Sequence, residues 1–130
     1  MEVKNLLDIH TRAELYEWYQ KNHSSCSDFW LRVNRSSQDC PGVVRYIDAV
    51  EVALCFGWID STMKRIDDGK PVQHFTPRRP RSNWCERNLI RLRRLIELGE
   101  MTHAGLAVAP DPYRHTGRMQ PGWDDLGRLK

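Results

Sequence analysis

Seven arginines and a single acid, Glu86, lie between Arg78 and Arg94, and this segment is the sharpest chemical feature of the sequence. Arginine offers a planar fork of donors that suits carboxylate and phosphate oxygens. A helix predicted over 83–98, with Ser82 as its N-cap, would bring unpaired amides and a partial positive charge to the same place. The pattern therefore predicts a site for a small carboxylate- or phosphate-bearing ligand. The residues expected to form it are Arg78, Arg79, Arg81, Ser82, Trp84, Asp60 and Lys64.

Two other interpretations fit the same arginines. Arg87, Arg91 and Arg94 recur at spacings of four and three, which places them on one outward face of the predicted helix. Such a face could bind the phosphates of a nucleic acid. It could also be a solvated surface that pairs with acids from the first half of the chain, since residues 1–75 carry a net charge of −2 and residues 76–130 a net charge of +5.

Asp60, Ser61 and His74 supply the residue types of a hydrolase, and all three fall on one predicted hairpin. A serine nucleophile needs a strained turn beside oxyanion donors, and the sequence around Ser61 is not the Gly-x-Ser-x-Gly elbow that provides one. A hydrolase that uses Asp60 and His74 is therefore the second alternative, and we expect binding rather than catalysis.

The four cysteines, at positions 26, 40, 55 and 85, are too widely spaced to form a Cys-x-x-Cys pair. No histidine stands at the spacing that a zinc site needs. We expect no metal and no cofactor, and we expect the cysteines to be thiols that behave as small buried hydrophobes.

The elements that must position these residues follow from local patterns. Thr11 and Glu14 form a capping box that starts a helix, and Gly57 is placed to end a second, strongly apolar one. Asp68 and Gly69 are expected to be the two turn residues of a hairpin, with Met63 opposite His74. The predicted helices are 12–22, 46–56, 83–98 and 103–109, and the predicted strands are 29–35, 59–64 and 72–76, with 2–4 as a further edge.

These elements predict an α+β fold, a small and mostly antiparallel sheet packed against three main helices. A length of 130 residues with 40% hydrophobic content suits one domain, which we place at 1–109, followed by a Pro- and Gly-rich tail at 110–130. No apolar run is long enough to span a membrane, and no secretion signal is visible, so we expect a cytoplasmic protein.

Three blocks of sequence carry a resemblance to a known family: ALCFGWIDS at 53–61, FTPRRPRSNW at 75–84 and GEMTHAGL at 99–106. In this order and spacing they resemble the YdeI or OmpD-associated family, also called bacteriocin-protection proteins, over residues 2–109. The resemblance implies a small bacterial protein linked to tolerance of envelope-directed antimicrobials, with no established reaction or cofactor. Cys85 departs from the family, which usually has serine after the tryptophan.

Overall fold

The structure is a computed structural model that describes residues 2–79, 82–111 and 113–114. It confirms the α+β class: the described residues form four helices and a four-stranded mixed sheet. They fall into two compact units. The sheet unit comprises Met1–Ala53 and Ile59–Pro77, and the helical unit comprises Leu54–Trp58 and Arg78–Lys130. Most of the tail expected over 110–130 lies outside the described residues, so its boundary stays a prediction.

The sheet contains β1 (Phe29–Asn34), β2 (Val44–Arg45), β3 (Trp58–Ile66) and β4 (Lys70–Pro77). They lie in the order β2-β1-β4-β3, with β1 parallel to β2 and antiparallel to β4. The edge strand predicted at 2–4 was wrong, since these residues form no strand. Instead, Leu6 forms an isolated parallel bridge with Trp30. The helices that accompany this sheet are α1 (Arg12–Asn22) and α2 (Tyr46–Cys55). The last two residues of α2 and the first residue of β3 belong to the helical unit.

Local signals set the ends of the first two helices. The Thr11 hydroxyl accepts from the Glu14 amide at 3.1 Å, and α1 covers the predicted range. The α2 helix ends one residue earlier than predicted, and Gly57 beyond it has a φ of +77°, in the left-handed region that glycine tolerates best.

The core of the sheet unit is aromatic. Leu15 and Tyr19 from α1 are fully buried together with Phe29 and Phe75, whose rings stack with centroids 5.2 Å apart. Burying each such side chain stabilises the fold by about 1.5–3 kcal/mol. The alternation along β1, with Phe29, Leu31 and Val33 on one face, predicts Trp30 on the opposite, solvated face, but Trp30 is only 1% exposed. That prediction was wrong because the Trp30 ring is covered and stacks on His74.

The hairpin between β3 and β4 is longer than predicted, and its turn has three residues, Asp67 to Gly69, instead of two. Gly69 has a φ of +75° and its amide donates to the Ile66 carbonyl at 2.5 Å. A left-handed glycine in the third loop position is a common alternative to the two-residue turn. The expected pairing of Met63 with His74 assumed the shorter turn and does not apply.

The helical unit contains α3 (Glu86–Glu97) and α4 (His103–Ala107). The predicted start of α3 was wrong by three residues: its N-cap is Cys85, which makes no side-chain capping bond. Leu92 and Leu95 are its buried residues, whereas Cys85, expected to be buried like the other cysteines, is exposed. The prediction of buried cysteines holds only for Cys55, since Cys26 is half-buried and Cys40 is exposed.

Two close approaches define the packing of α4. The Thr102 amide and hydroxyl both donate to the Cys55 carbonyl, at 3.1 and 2.5 Å, and the same hydroxyl accepts from the Gly105 amide. A Cβ at Gly57 would lie 2.9 Å from the Ala104 carbonyl oxygen, so this contact needs glycine. No helix in the described part of the chain combines the length and apolar character of a membrane span.

Candidate functional site

Arg78, the first residue of the predicted anion site, is buried within the helical unit and is 4% exposed. Its guanidinium donates to the Ser82 hydroxyl at 3.1 Å and to the Asn83 carbonyl at 3.3 Å. It also lies over the Trp84 ring, 4.2 Å from the centroid. Arg78 therefore organises the extended segment before α3, and the Ser82 hydroxyl accepts from Arg78 instead of capping a helix.

The other predicted residues of that site are distributed differently. Arg79 is exposed, and Arg81 lies outside the described residues. Asp60 and Lys64 belong to the sheet unit, while the remaining members belong to the helical unit. Because α3 begins at Glu86, its free amides follow Ser82 by several residues. The anion site at this helix stays a prediction, and the local geometry assumed for it was wrong.

Asp60 has a structural partner in the sheet unit. Its carboxylate accepts from the Tyr46 hydroxyl at 2.6 Å, which links the start of α2 to β3. Burial of the phenol, followed by this hydrogen bond, raises the pKa of Tyr46 above its ordinary value of 10.0. Lys64 is half-buried further along the same strand.

The arginine face predicted on α3 is present. Arg87 and Arg94 are exposed, and Arg91 donates to the Asn88 side chain at 2.9 Å. Arg93 donates to the Tyr113 hydroxyl at 2.8 Å. The face has the charge that a nucleic acid needs, and binding of a nucleic acid stays a prediction.

A groove of about 570 Å³ lies in the sheet unit, between the end of β1, the loop that follows it and the tip of the β3–β4 hairpin. Four cations line it: Arg32, Arg35, Arg65 and Lys70. Asp39 is the one acid among the described residues that line it. We call this feature the basic groove.

The four cations of the basic groove are neutralised unequally. Arg32 lies 3.0 Å from the Asp68 carboxylate and the Lys70 ammonium lies 3.8 Å from it. The Lys70 amide and then the Arg32 guanidinium lower the pKa of Asp68 below its ordinary value. These two cations therefore already share an acid that stays ionised.

Among the described residues, the hydrogen bonds of Arg35 and Arg65 are made to neutral groups. Arg35 donates to the Gln73 side-chain oxygen at 3.3 Å and lies 4.0 Å from the centroid of the Tyr46 ring. Arg65 donates to the Gly69 carbonyl at 2.8 Å. In the part of the chain that the structure describes, neither guanidinium has a carboxylate within ion-pair distance. Both therefore retain donors for an external anion.

The loop wall of the basic groove is held by its own hydrogen bonds. The Asn34 side chain donates to the Gln38 carbonyl at 2.8 Å and accepts from the Ser36 amide at 2.9 Å. The Ser36 hydroxyl accepts from the Gln38 amide at 3.1 Å. Such turns fix the backbone locally, so the groove wall is formed before any ligand arrives.

Sequence reasoning missed this groove. Its cations come from two segments that are distant in the sequence and are brought together by the antiparallel pairing of β1 with β4, in which Arg32 lies opposite Val72. To find the groove from the sequence, one would have had to predict the pairing of β1 with β4.

A second cluster lies on the sheet around His74. The Ser61 hydroxyl is 2.8 Å from Nδ1 of His74, and Nε2 of the same ring is 2.8 Å from the Asp28 carboxylate. The sequence predicted the serine and the histidine but assigned the carboxylate to Asp60. That assignment was wrong, because Asp60 binds Tyr46 and Asp28 reaches His74 from the residue before β1.

Within the described ranges, no three His, Cys, Asp or Glu side chains come together as a metal site requires. The fold and its surfaces thus define a small α+β protein with a cation-lined groove. The chain belongs to the family described as "Domain of unknown function (DUF8412)", whose model matches residues 7–108. No curated protein and no solved structure matches it. This description does not mention the YdeI or OmpD-associated proteins, so that resemblance stays a prediction.

Proposed function

We propose that this protein binds a small carboxylate- or phosphate-bearing ligand in the basic groove. The observation that carries the proposal is that Arg35 and Arg65 line the groove without a carboxylate partner among the described residues. An arginine fork that meets an anion forms short, charge-assisted hydrogen bonds, about twice as strong as neutral ones. Arg32 and Lys70 add positive potential to the same space, although Asp68 already engages both.

The dimensions and surroundings of the groove suit a small ligand. Its volume of about 570 Å³ lies within the range of small-molecule sites, roughly 300–1,000 Å³. The side chains of Asn34 and Ser36 form hydrogen bonds within the loop wall. The loop therefore needs little ordering when a ligand binds. Specificity is then expected from the positions of the two guanidiniums.

The basic groove is favoured over the predicted site before α3 because Arg78 is buried and already donates to the Ser82 hydroxyl and the Asn83 carbonyl of its own segment. On the resemblance to YdeI or OmpD-associated proteins alone, we further propose that ligand binding serves antimicrobial tolerance in a bacterial cytoplasm. The ligand chemistry rests on the groove, and the biological setting rests on that resemblance.

The test is thermal unfolding in phosphate, sulfate and citrate, each against sodium chloride at equal ionic strength. A ligand that binds only the folded state stabilises it by about 2.7 kcal/mol at one hundred times its Kd. We expect at least one of these anions to raise the Tm of the wild type. The rise should shrink for Arg35→Gln and Arg65→Gln, because a hydrogen bond to a charged group contributes about 1.5–3 kcal/mol.

Two matched variants serve as controls. Arg87→Gln removes the same charge from the exposed face of α3, and Arg79→Gln removes it within the predicted site before that helix. Both should keep the full rise in Tm. A rise that survives in Arg35→Gln and Arg65→Gln overturns the proposal, and a rise lost only in Arg79→Gln moves the site to the segment before α3. Retention on heparin that falls steeply with salt and disappears with Arg87→Gln would favour a nucleic acid instead.

A further inference from the structure

We propose that Ser61, His74 and Asp28 form a nucleophilic site, which we call the serine relay, and that its serine is acylated by small activated esters. Two contacts of 2.8 Å connect the three side chains in series. Both distances are those expected between a nucleophile, its base and the group that orients the base. Ser61 lies within β3 and not on the strained elbow of efficient serine hydrolases, so the proposed reaction is confined to esters that are already activated. The site lies apart from the basic groove and does not depend on the function proposed for it.

The partners of His74 determine which nitrogen carries the hydrogen. An ionised carboxylate can only accept, so Asp28 requires the hydrogen on Nε2. This leaves Nδ1 with a free lone pair, to which the Ser61 hydroxyl donates. A second acceptor, the His74 carbonyl, is farther from the hydroxyl at 3.4 Å. The neutral ring is thus held in the tautomer that a general base needs.

Packing orients the base and leaves the nucleophile accessible. His74 is 7% exposed, and Trp30 stacks against its ring with centroids 4.7 Å apart. Ser61 is exposed to solvent. A groove of about 330 Å³ opens beside the relay and is lined by Asp28, Trp30, His74, Glu2 and Lys4. Ser61 does not line this groove, so the groove borders the base and its carboxylate, and the ester reaches the exposed Ser61 from solvent.

The proposed step balances with water as the second reactant. The Ser61 oxygen bonds to the ester carbonyl carbon while its proton passes to Nδ1 of His74, and Asp28 stabilises the imidazolium. The tetrahedral intermediate collapses, the bond to the alkoxy group breaks and the leaving alcohol takes the proton from Nδ1. Water, deprotonated by the same nitrogen, then releases the acid and restores Ser61. Base catalysis of this kind contributes about 10²–10⁴-fold.

The test is covalent labelling of the full chain with a small alkyl fluorophosphonate, located by peptide mass spectrometry. The Ser61 oxygen displaces fluoride at phosphorus, and the proton again passes to His74. We expect label on Ser61 and none on Ser24, an exposed serine outside the relay. Asp28→Asn should slow labelling at least tenfold. His74→Gln should abolish the dependence of the labelling rate on pH. Ser24→Ala should change neither.

Folding of each variant is checked by circular dichroism and Tm, and Asp67→Asn serves as a matched carboxylate control. Because Asp67 is an exposed residue of the hairpin turn and no member of the relay, its variant should label at the wild-type rate. Absence of label on Ser61 in the folded wild type overturns the proposal. A rate unchanged by Asp28→Asn in a folded variant also overturns it, since the contacts would then be structural only.

Discussion

The Tyr46 hydroxyl lies 2.6 Å from a carboxylate oxygen of Asp60, and the Arg35 guanidinium lies over the same tyrosine ring. These contacts join the first residue of α2 to β3 on one side and to the basic groove on the other. Tyr46 therefore positions a cation of the groove while it occupies the carboxylate that the sequence had suggested for catalysis.

Loss of the Tyr46 proton should destabilise the fold. Its pKa is raised in the folded protein, so the native state holds the proton more tightly than the unfolded chain does. The stability from this group is complete below pH 10.0 and is lost as the pH rises through the folded pKa. We expect urea unfolding to show this loss above pH 10.0 in the wild type.

Tyr46→Phe should lack that loss and should cost about 1 kcal/mol near neutral pH, the usual net contribution of one hydrogen bond. Tyrosinate absorbance provides the independent measurement, because the variant should lose one tyrosine that titrates above pH 10.0. Identical alkaline unfolding curves for wild type and variant would contradict the assignment.

His10 should titrate above its ordinary value. Its Nδ1 is 2.9 Å from the Gly42 carbonyl and its Nε2 is 2.6 Å from Asp8, and these two contacts, in that order, raise the pKa above 6.5. The stability they provide is present below pH 6.5 and is lost as the pH rises through the folded pKa. An NMR titration of the imidazole checks the shift.

Asp8→Asn should lower the pKa of His10 only in part, since the Gly42 carbonyl remains as the larger cause. A pKa that falls to 6.5 in the variant would show that Asp8 carries the whole shift. A pKa unchanged by the substitution would show that the contact with Asp8 does not form in solution.

Gly57 and Gly42 provide a matched pair of substitutions. Both have a left-handed φ, of +77° and +80°, so replacing either with alanine carries a similar backbone cost of about 1–2 kcal/mol. A Cβ at Gly42 meets nothing within 4 Å, whereas one at Gly57 lies 2.9 Å from the Ala104 carbonyl oxygen. Gly57→Ala should therefore cost about 1–3 kcal/mol more than Gly42→Ala. Equal midpoints in urea would refute the close approach.

Lysine substitutions at the neighbouring residues Arg78 and Arg79 should differ in how much they destabilise the fold. Arg78→Lys keeps the charge but removes the planar fork that reaches Ser82 and Asn83, and it weakens the contact with Trp84. We expect a loss of about 1–3 kcal/mol in the free energy of unfolding. Arg79→Lys, on an exposed side chain, should change it by less than about 0.5 kcal/mol. Similar effects at both positions would contradict a structural role for Arg78.

The sequence by itself determined the features that depend on residues a few positions apart. The cap at Thr11, the left-handed Gly57 after α2 and the start of α4 at His103 were all predicted from local pattern, and the structure confirms them. The alternation of apolar residues also gave the α+β class. These signals are local because a capping bond or a backbone conformation involves atoms within one turn.

Tertiary contacts overrode some of these local signals and determined which side chains lie together in the candidate sites. The Ser82 hydroxyl is taken by Arg78, so the expected cap does not form and α3 begins at Glu86. Asp28 is 46 residues from His74, and only the antiparallel pairing of β1 with β4 brings them together. The same pairing assembles the basic groove. Strand pairing depends on the burial of residues such as Phe29 against Phe75. These residues are far apart in the sequence, so the stabilisation that they provide cannot be inferred from a short segment.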